Sequence, residues 1–378
     1  MGDRLGHYLS QSIEQDELGV AVKNTILSLS NAAKKIGKSL AKNGLPDNQF
    51  GIQVGDINSD GDTQKALDLI ADENIVTALK NKNVVAYFSE EQESALLLDP
   101  EGNLIVCADP LDGSSNIDNN MSVGTIFSIL PRKTEIFEAE YLLHDVLQSG
   151  INQLASGFFI YGPQTSLILT TGKGAAAFLL DKEDFFKMEW EPKLPNEGSQ
   201  FAINMSNMRF WSQRTRSYIQ SCLDGTESTF AKNYNMRWCG SLVADAWRIF
   251  REGGIFLYPE DKRDNYNEGR LRLVYEANPI SFLVEQAGGR ATDGNTDDDY
   301  DLATSGGVAI ASGATQVLTF GPSDTDQSIS ITIDDDEVVT KVTDKCKSLV
   351  DCELGYVGIV RWPVGTFMKP HFDSNNIH

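Results

Sequence analysis

Near the start of the chain, Val22, Ile26, Leu29, Ala33, Ile36 and Leu40 fall three or four positions apart, and Asn43-Gly44 closes the pattern. That spacing lays one apolar stripe along a helix face and predicts an amphipathic helix. The pattern then changes to short continuous runs. Val84-Val85-Ala86-Tyr87-Phe88 and Leu104-Ile105-Val106-Cys107 are rich in β-branched and aromatic side chains, which predicts buried strands. The second is expected to stop at Pro110 and Gly113. Thr63 to Asp68 reads as the opening of a helix, and the run from Gly269 to Tyr275 as a further strand. A helix follows through Phe282 and Ala287, closed by Gly288-Gly289. After Thr292 the runs Val308-Ala309-Ile310-Ala311, 316–320 and 328–339 are again strand-like. Alternating strands and helices with short loops predict the α/β class.

Each of three predicted strands ends in acids: Glu90-Glu91, Asp109 with Asp112, and Glu276. If these strands are neighbours, the carboxylates repel one another unless cations neutralise them, so a site for hard cations is the economical reading. Behind Asp112, the amides and hydroxyls of Gly113, Ser114 and Ser115 form a turn that could cradle phosphoryl oxygens. The plainer alternative is a surface turn, since Asp, Gly and Ser favour turns for local reasons. A third acidic stretch holds Asp56, Asn58, Asp60 and Gly61 at calcium-loop offsets, but Leu67 stands where the closing bidentate Glu is required. Asp62 is therefore read as part of an acidic loop, and Asp68 as an acid at a helix start, where the helix dipole also favours it.

Taken together, Glu90-Glu91, Asp109-Pro110-Leu111-Asp112-Gly113-Ser114-Ser115, Ser122-Val123-Gly124-Thr125-Ile126-Phe127, Asn235 to Asp245, Gly253 to Pro259 and Tyr275 to Pro279 resemble class I fructose-1,6-bisphosphatase, over about residues 20–292. The resemblance implies a layered α/β/α/β/α sandwich of the sugar phosphatase type, within the lithium-sensitive sugar and inositol phosphatase superfamily. It implies that Glu90, Asp109, Asp112, Glu276 and the Leu111 carbonyl bind Mg²⁺, or Mn²⁺, with Asp62 contributing to a further metal, two or three ions in all. Asp68 and Glu91 would position and deprotonate the attacking water. Asp112, Gly113, Ser114 and Ser115 would meet the substrate at its 1-phosphate end; Asn204, Arg237, Tyr258 and Arg270 would hold the 6-phosphate. Arg237 matches an arginine that reaches into a neighbouring subunit's site, so a dimer or tetramer is expected.

Several positions depart from the family pattern. Arg270 stands where a phosphate-binding Lys is usual, and Asn207 where many members have Tyr; Arg is a bulkier, differently aimed phosphate clamp. Ala66 replaces a loop Lys. Lys23 and Asn103-Leu104 do not match the AMP site of inhibited relatives, and 131–150 lacks the cysteines of the plastid regulatory insertion. After Thr292 the family's closing segments are not found. The acidic region there is read as replacing the last strands, with a partner-binding appendage as the alternative. Cys239 is expected to be a small buried residue.

Composition narrows the partners. The chain has 378 residues, 41% of them hydrophobic, without an uninterrupted run of membrane length. Lys and Arg number 32 against 54 Asp and Glu, a net charge of -22 that argues against nucleic acid and anionic membrane. The odd, scattered set Cys107, Cys222, Cys239, Cys346 and Cys352 suits a reducing compartment. No signal peptide or transit segment is read, so a cytoplasmic protein is expected, with a mature plastid form left open. Three regions are expected: 1–194, a regulatory-type domain with most metal ligands; 195–292, a substrate domain; and 293–378, an acidic region completing or extending the second. The rival functions are a sedoheptulose-1,7-bisphosphatase or dual-specificity enzyme, an inositol-monophosphatase-like enzyme, and a catalytically silent homologue with a partner-binding tail.

Overall fold

The computed structural model describes residues 2–42, 53–57, 63–259, 261–263, 269–292 and 308–311. In chain order, α1 (Leu5–Ser12) and α2 (Glu17–Leu40) are followed by the paired strands β1 (Gln53–Ile57) and β2 (Thr63–Lys65) and by α3 (Ala66–Leu79). The strands β3 (Val84–Ser89), β4 (Leu96–Leu97), β5 (Leu104–Asp112), β6 (Val123–Pro131), β7 (Ala155–Tyr161), β8 (Thr165–Thr170), β9 (Ala175–Asp181) and β10 (Asp184–Lys187) come next, with α4 (Ala139–Val146) between β6 and β7. They form one sheet in the order β10-β9-β8-β7-β6-β5-β3-β4. Then come β11 (Gln200–Ala202), α5 (Gln213–Asp224), β12 (Asn235–Met236), α6 (Leu242–Glu252), β13 (Ile255–Tyr258), α7 (Asn278–Gln286), β14 (Arg290–Thr292) and β15 (Val308–Ala311). The chain groups into two units, the first of 1–193, 239–251 and 272–287, the second of 194–238, 252–271 and 288–378.

In the first unit α2 begins where the Asp16 side chain accepts a hydrogen bond from the Gly19 N–H at 2.7 Å, a good N-cap. Its predicted stripe Val22, Ile26, Leu29, Ala33 and Ile36 is buried. All nine positions of β5 are buried, as expected of a strand covered on both faces. Leu104, Val106 and Ala108 join the core that includes α2 and α3, while Ile105 and Cys107 join a separate cluster with Leu142 and Val146 of α4. β3 and β5 are parallel neighbours, with Ser89 opposite Ala108, so the two acid-bearing strand ends lie side by side. The pairing shifts between Val84 and Ala86, which re-aims the rest of β3 and turns Tyr87 into the core that includes α3.

Three expectations change. β5 does not stop at Pro110 but continues to Asp112. Its pairing with β6 is irregular between Asp109 and Asp112, and such a bulge tolerates a residue without an N–H; the freed Pro110 carbonyl accepts from the Thr125 hydroxyl at 2.8 Å. Thr63 to Lys65 are extended rather than helical because they pair with β1. The run ending in Glu276 is not a strand: Leu273–Ala277 form a π-turn leading straight into α7. There the N–H groups of Glu276 and Ala277 both reach the Arg272 carbonyl, at 3.0 Å each. Widening the helix in this way accommodates Pro279, whose ring would clash with a regular preceding turn.

In the second unit the strand order is β12-β11-β13-β15-β14. β11 is parallel to both β12 and β13, so three strands share one carboxyl edge. β15 runs antiparallel between β13 and β14, so a segment from the acidic region occupies an interior place in this sheet. The runs 316–320 and 328–339, Asn43-Gly44, Cys346 and Cys352 lie outside the described residues. Among the described residues no helix is long and apolar enough to cross a membrane.

Candidate active site

The strand ends of the first unit concentrate acid in a small buried volume. Asp109, Asp112 and Glu276 are 2%, 6% and 6% exposed, and each offers an oxygen within 4.8 Å of the others. β5 carries the two aspartates, and the π-turn brings Glu276 from far along the chain. Glu90, also buried, follows β3, its N–H donating to the Ala108 carbonyl at 3.1 Å. Arg272 ties the group together: its guanidinium lies 2.6 Å from Glu90 and 3.8 Å from Glu276, and its backbone N–H donates to Glu276 at 2.6 Å.

This crowding moves protonation. Burial above all, and then the charges of Glu90, Asp112 and Glu276, push the Asp109 carboxyl well above its usual range; Arg272 opposes them. Burial likewise raises Glu276 to about 7 despite Arg272. Asp112 is raised by burial as well, and donors pull against that. Its oxygens accept from the Ser241 hydroxyl at 2.6 Å, the Val243 N–H at 2.9 Å and the Leu242 N–H at 3.1 Å, so the start of α6 grips it. Oxygen-only donors, buried and mutually repelling, with no thiolate or imidazole among them, fit a hard divalent cation.

Beside Asp112 the chain must turn at once. Gly113 has φ +75°, and a Cβ there would sit 2.5 Å from the Ser241 Cβ, so glycine is required on both counts. A short 3₁₀ turn, Ser114–Asn119, follows, with Ser114 half-buried and Ser115 exposed. Asn116 anchors it by donating to the Cys239 carbonyl at 2.9 Å. The Leu111 N–H is taken by Asp109 at 2.9 Å.

Asp68 is buried in the first turn of α3. Glu91 is half-buried in the turn after β3, its N–H donating to the Ser89 hydroxyl at 3.2 Å. Asp62 lies outside the described residues. Asn204, Arg237 and Tyr258 belong to the second unit, where each stands at or just beyond the carboxyl end of one of the parallel strands β11, β12 and β13. Ligands of open α/β sheets favour that edge. Asn204 accepts from the Ser206 hydroxyl at 2.6 Å, Arg237 is exposed, and the Tyr258 ring lies 5.8 Å from Trp238. Arg270 is exposed. Cys239, expected to be buried, is half-buried instead: it lies in the loop leading into α6, with its N–H donating to Asp245 at 3.0 Å.

Arg272 and Ser241 join the site without having been singled out by the sequence pattern. Arg272 stands four residues before Glu276, an ion-pair spacing on a helix, which the strand expectation concealed. Ser241 directly precedes α6, the usual place of a capping hydroxyl.

Comparison with known proteins identifies the family. The family model "Fructose-1-6-bisphosphatase, N-terminal domain" matches residues 7–187, and "Fructose-1-6-bisphosphatase, C-terminal domain" matches 194–298. The class 1 fructose-1,6-bisphosphatase of Azorhizobium caulinodans is 46% identical over 283 residues, 74% of this chain and 86% of its own. That of Rhizobium meliloti is 46% identical over 296 residues, covering 77% and 83%. Among solved structures, Leishmania major fructose-1,6-bisphosphatase in its holo form has a TM-score of 0.71 at 30% identity, over 77% of this chain and 88% of that one. With both domain models matched in order and the acid cluster built from the segments they cover, the chain belongs to the fructose-1,6-bisphosphatase family.

Proposed function

We propose that this chain is a metal-dependent hydrolase that removes the 1-phosphate of fructose 1,6-bisphosphate to give fructose 6-phosphate and phosphate, a step of gluconeogenic carbohydrate metabolism. The observation that carries this is the buried Asp109, Asp112 and Glu276 triad beside the Gly113 turn. Glu90, Asp109, Asp112, Glu276 and the Leu111 carbonyl hold the ions, two or three Mg²⁺ or Mn²⁺, with Asp62 on a further one. Bound there, the ions would shield the phosphate charge, acidify water and stabilise the departing alkoxide. Asp68 and Glu91 orient the attacking water and take its proton. Gly113, Ser114 and Ser115 hold the 1-phosphate through backbone N–H groups and hydroxyls. Asn204, Arg237, Tyr258 and Arg270 bind the 6-phosphate, and charge-assisted contacts there fix the sugar for in-line attack. Arg237 serves a neighbouring subunit in a dimer or tetramer. The protein works in the cytoplasm, and its domains divide near residue 194.

Phosphate release tests this, with fructose 1,6-bisphosphate, sedoheptulose 1,7-bisphosphate and inositol 1-phosphate compared side by side in Mg²⁺. Preference for the fructose substrate is expected. Equal or better release from sedoheptulose 1,7-bisphosphate would replace the substrate, and no release from any would replace the activity.

A further inference from the structure

Behind the acid-bearing turn lies a carboxylate that the proposed reaction does not use. Asp72 is 6% exposed and sits on α3, one helical turn after Asp68. Three donors meet it. The Tyr87 hydroxyl donates to Oδ1 at 2.8 Å, the Ser89 hydroxyl donates to the same oxygen at 2.6 Å, and the Gln92 side-chain amide donates to Oδ2. Burial first, and then the nearby Asp72 charge, push the Tyr87 phenol well above its usual range, so it remains a donor.

The placement of these donors is informative. Ser89 is the residue before Glu90-Glu91, and Gln92 is the residue after it, so Asp72 holds the acidic pair from both sides. The Ser89 hydroxyl donates a hydrogen bond to Asp72 and accepts one from the Glu91 N–H at 3.2 Å, and the Gln92 N–H donates to the Ser89 carbonyl at 3.3 Å. The other face of the turn is fixed by the Glu90 N–H on the Ala108 carbonyl of β5. One carboxylate thus joins the helix bearing Asp68 to the turn bearing Glu91.

We propose that Asp72 is a positioning residue for proton transfer, holding Glu91 in register with Asp68 through the Ser89 hydroxyl and the Gln92 amide. This rests on the base role given to Glu91 above. A small displacement of a group that must meet a reacting atom costs rate out of proportion to its effect on binding. Asparagine can keep the geometry: its carbonyl serves Tyr87 and Ser89, and its amide serves Gln92 once that side chain turns over to present its own oxygen. Alanine cannot.

The test measures steady-state kinetics on fructose 1,6-bisphosphate with the full-length protein in Mg²⁺. Asp72→Ala should lower kcat on the order of 10- to 100-fold with KM changed by no more than about threefold. Asp72→Asn should restore kcat to within a few-fold of wild type. In a Glu91→Gln background, Asp72→Ala should cost less than about threefold further, because residues acting through one another are not additive. Ser89→Ala, a milder lesion, should show the same loss in reduced form if Asp72→Ala does not fold. Wild-type kcat in folded Asp72→Ala or Ser89→Ala would overturn the proposal, as would an equal loss in both backgrounds or an asparagine variant as slow as alanine. If Glu91→Gln itself has undiminished kcat, the base role fails and the proposal falls with it. A slow Glu91→Gln beside a fast Asp72→Ala removes only the role of Asp72.

Discussion

The metal-free acid cluster should oppose folding at neutral pH, and Glu276→Gln isolates one part of that cost. Glu276 is raised from an ordinary 4.5 to about 7, burial being the largest cause and Arg272 a partial offset. A group whose folded pKa is raised contributes stability that is fully present below pH 4.5 and is lost as pH rises through 7. At 1.36 kcal/mol per pH unit, that interval is worth about 3 kcal/mol. Glutamine keeps an oxygen for the Arg272 N–H, does not titrate, and leaves Arg272 its contact with Glu90. Urea unfolding of chelator-treated protein at half-unit steps from pH 4.5 to 8 is the assay. The wild type should lose about 3 kcal/mol relative to the variant across the range, leaving the variant the more stable protein at pH 8. Added Mg²⁺ should reverse that order, because an ion that binds only the folded state stabilises it by mass action and the variant lacks one ligand. Parallel pH curves for the two proteins would refute the reasoning, since the Glu276 carboxyl would then carry no folding-linked charge.

Asp112→Ala removes a carboxylate from the triad and leaves the Ser241 hydroxyl and the Leu242 and Val243 N–H groups without their acceptor, so metal-dependent phosphate release should fall by 10³-fold or more, read against wild type at saturating Mg²⁺. Gly113→Ala combines a positive φ with a Cβ that meets Ser241, and should cost roughly 1–3 kcal/mol in urea unfolding together with a loss of kcat; an unchanged midpoint would mean the turn relaxes freely. Ile310→Pro breaks the backbone pairing of β15 with Phe256 of β13 and Ala291 of β14, so it should lower the thermal midpoint and raise KM more than it lowers kcat, because Tyr258 ends β13. A variant with wild-type melting would argue that β15 is dispensable to the sheet.

The sequence by itself determined what local pattern can encode. The stripe from Val22 to Ile36 could bury only one face, so α2 was legible, and the runs before Glu90 and before Asp109 were legible as buried strands ending in acid. Gly113 was legible as a turn because the residues around it leave few alternatives. What a residue meets across the fold was not written in that pattern. The Glu276 segment looked like a strand because Leu271, Leu273 and Tyr275 alternate; its π-turn follows from the demands of Pro279 and from packing of Val274 and Tyr275 against the core that includes Phe88 and Cys107. Pro110 looked like a strand stop, yet an irregular pairing with β6 carries β5 past it. Arg272, Ser241 and Asp72 gained their partners only when β3 and β5 paired in parallel and α6 and the π-turn came up beside them. Short-range preferences fix backbone conformation within a few residues, whereas the charge balance of the site depends on groups more than a hundred positions apart, and only the tertiary structure decides which of them share a buried volume of low dielectric.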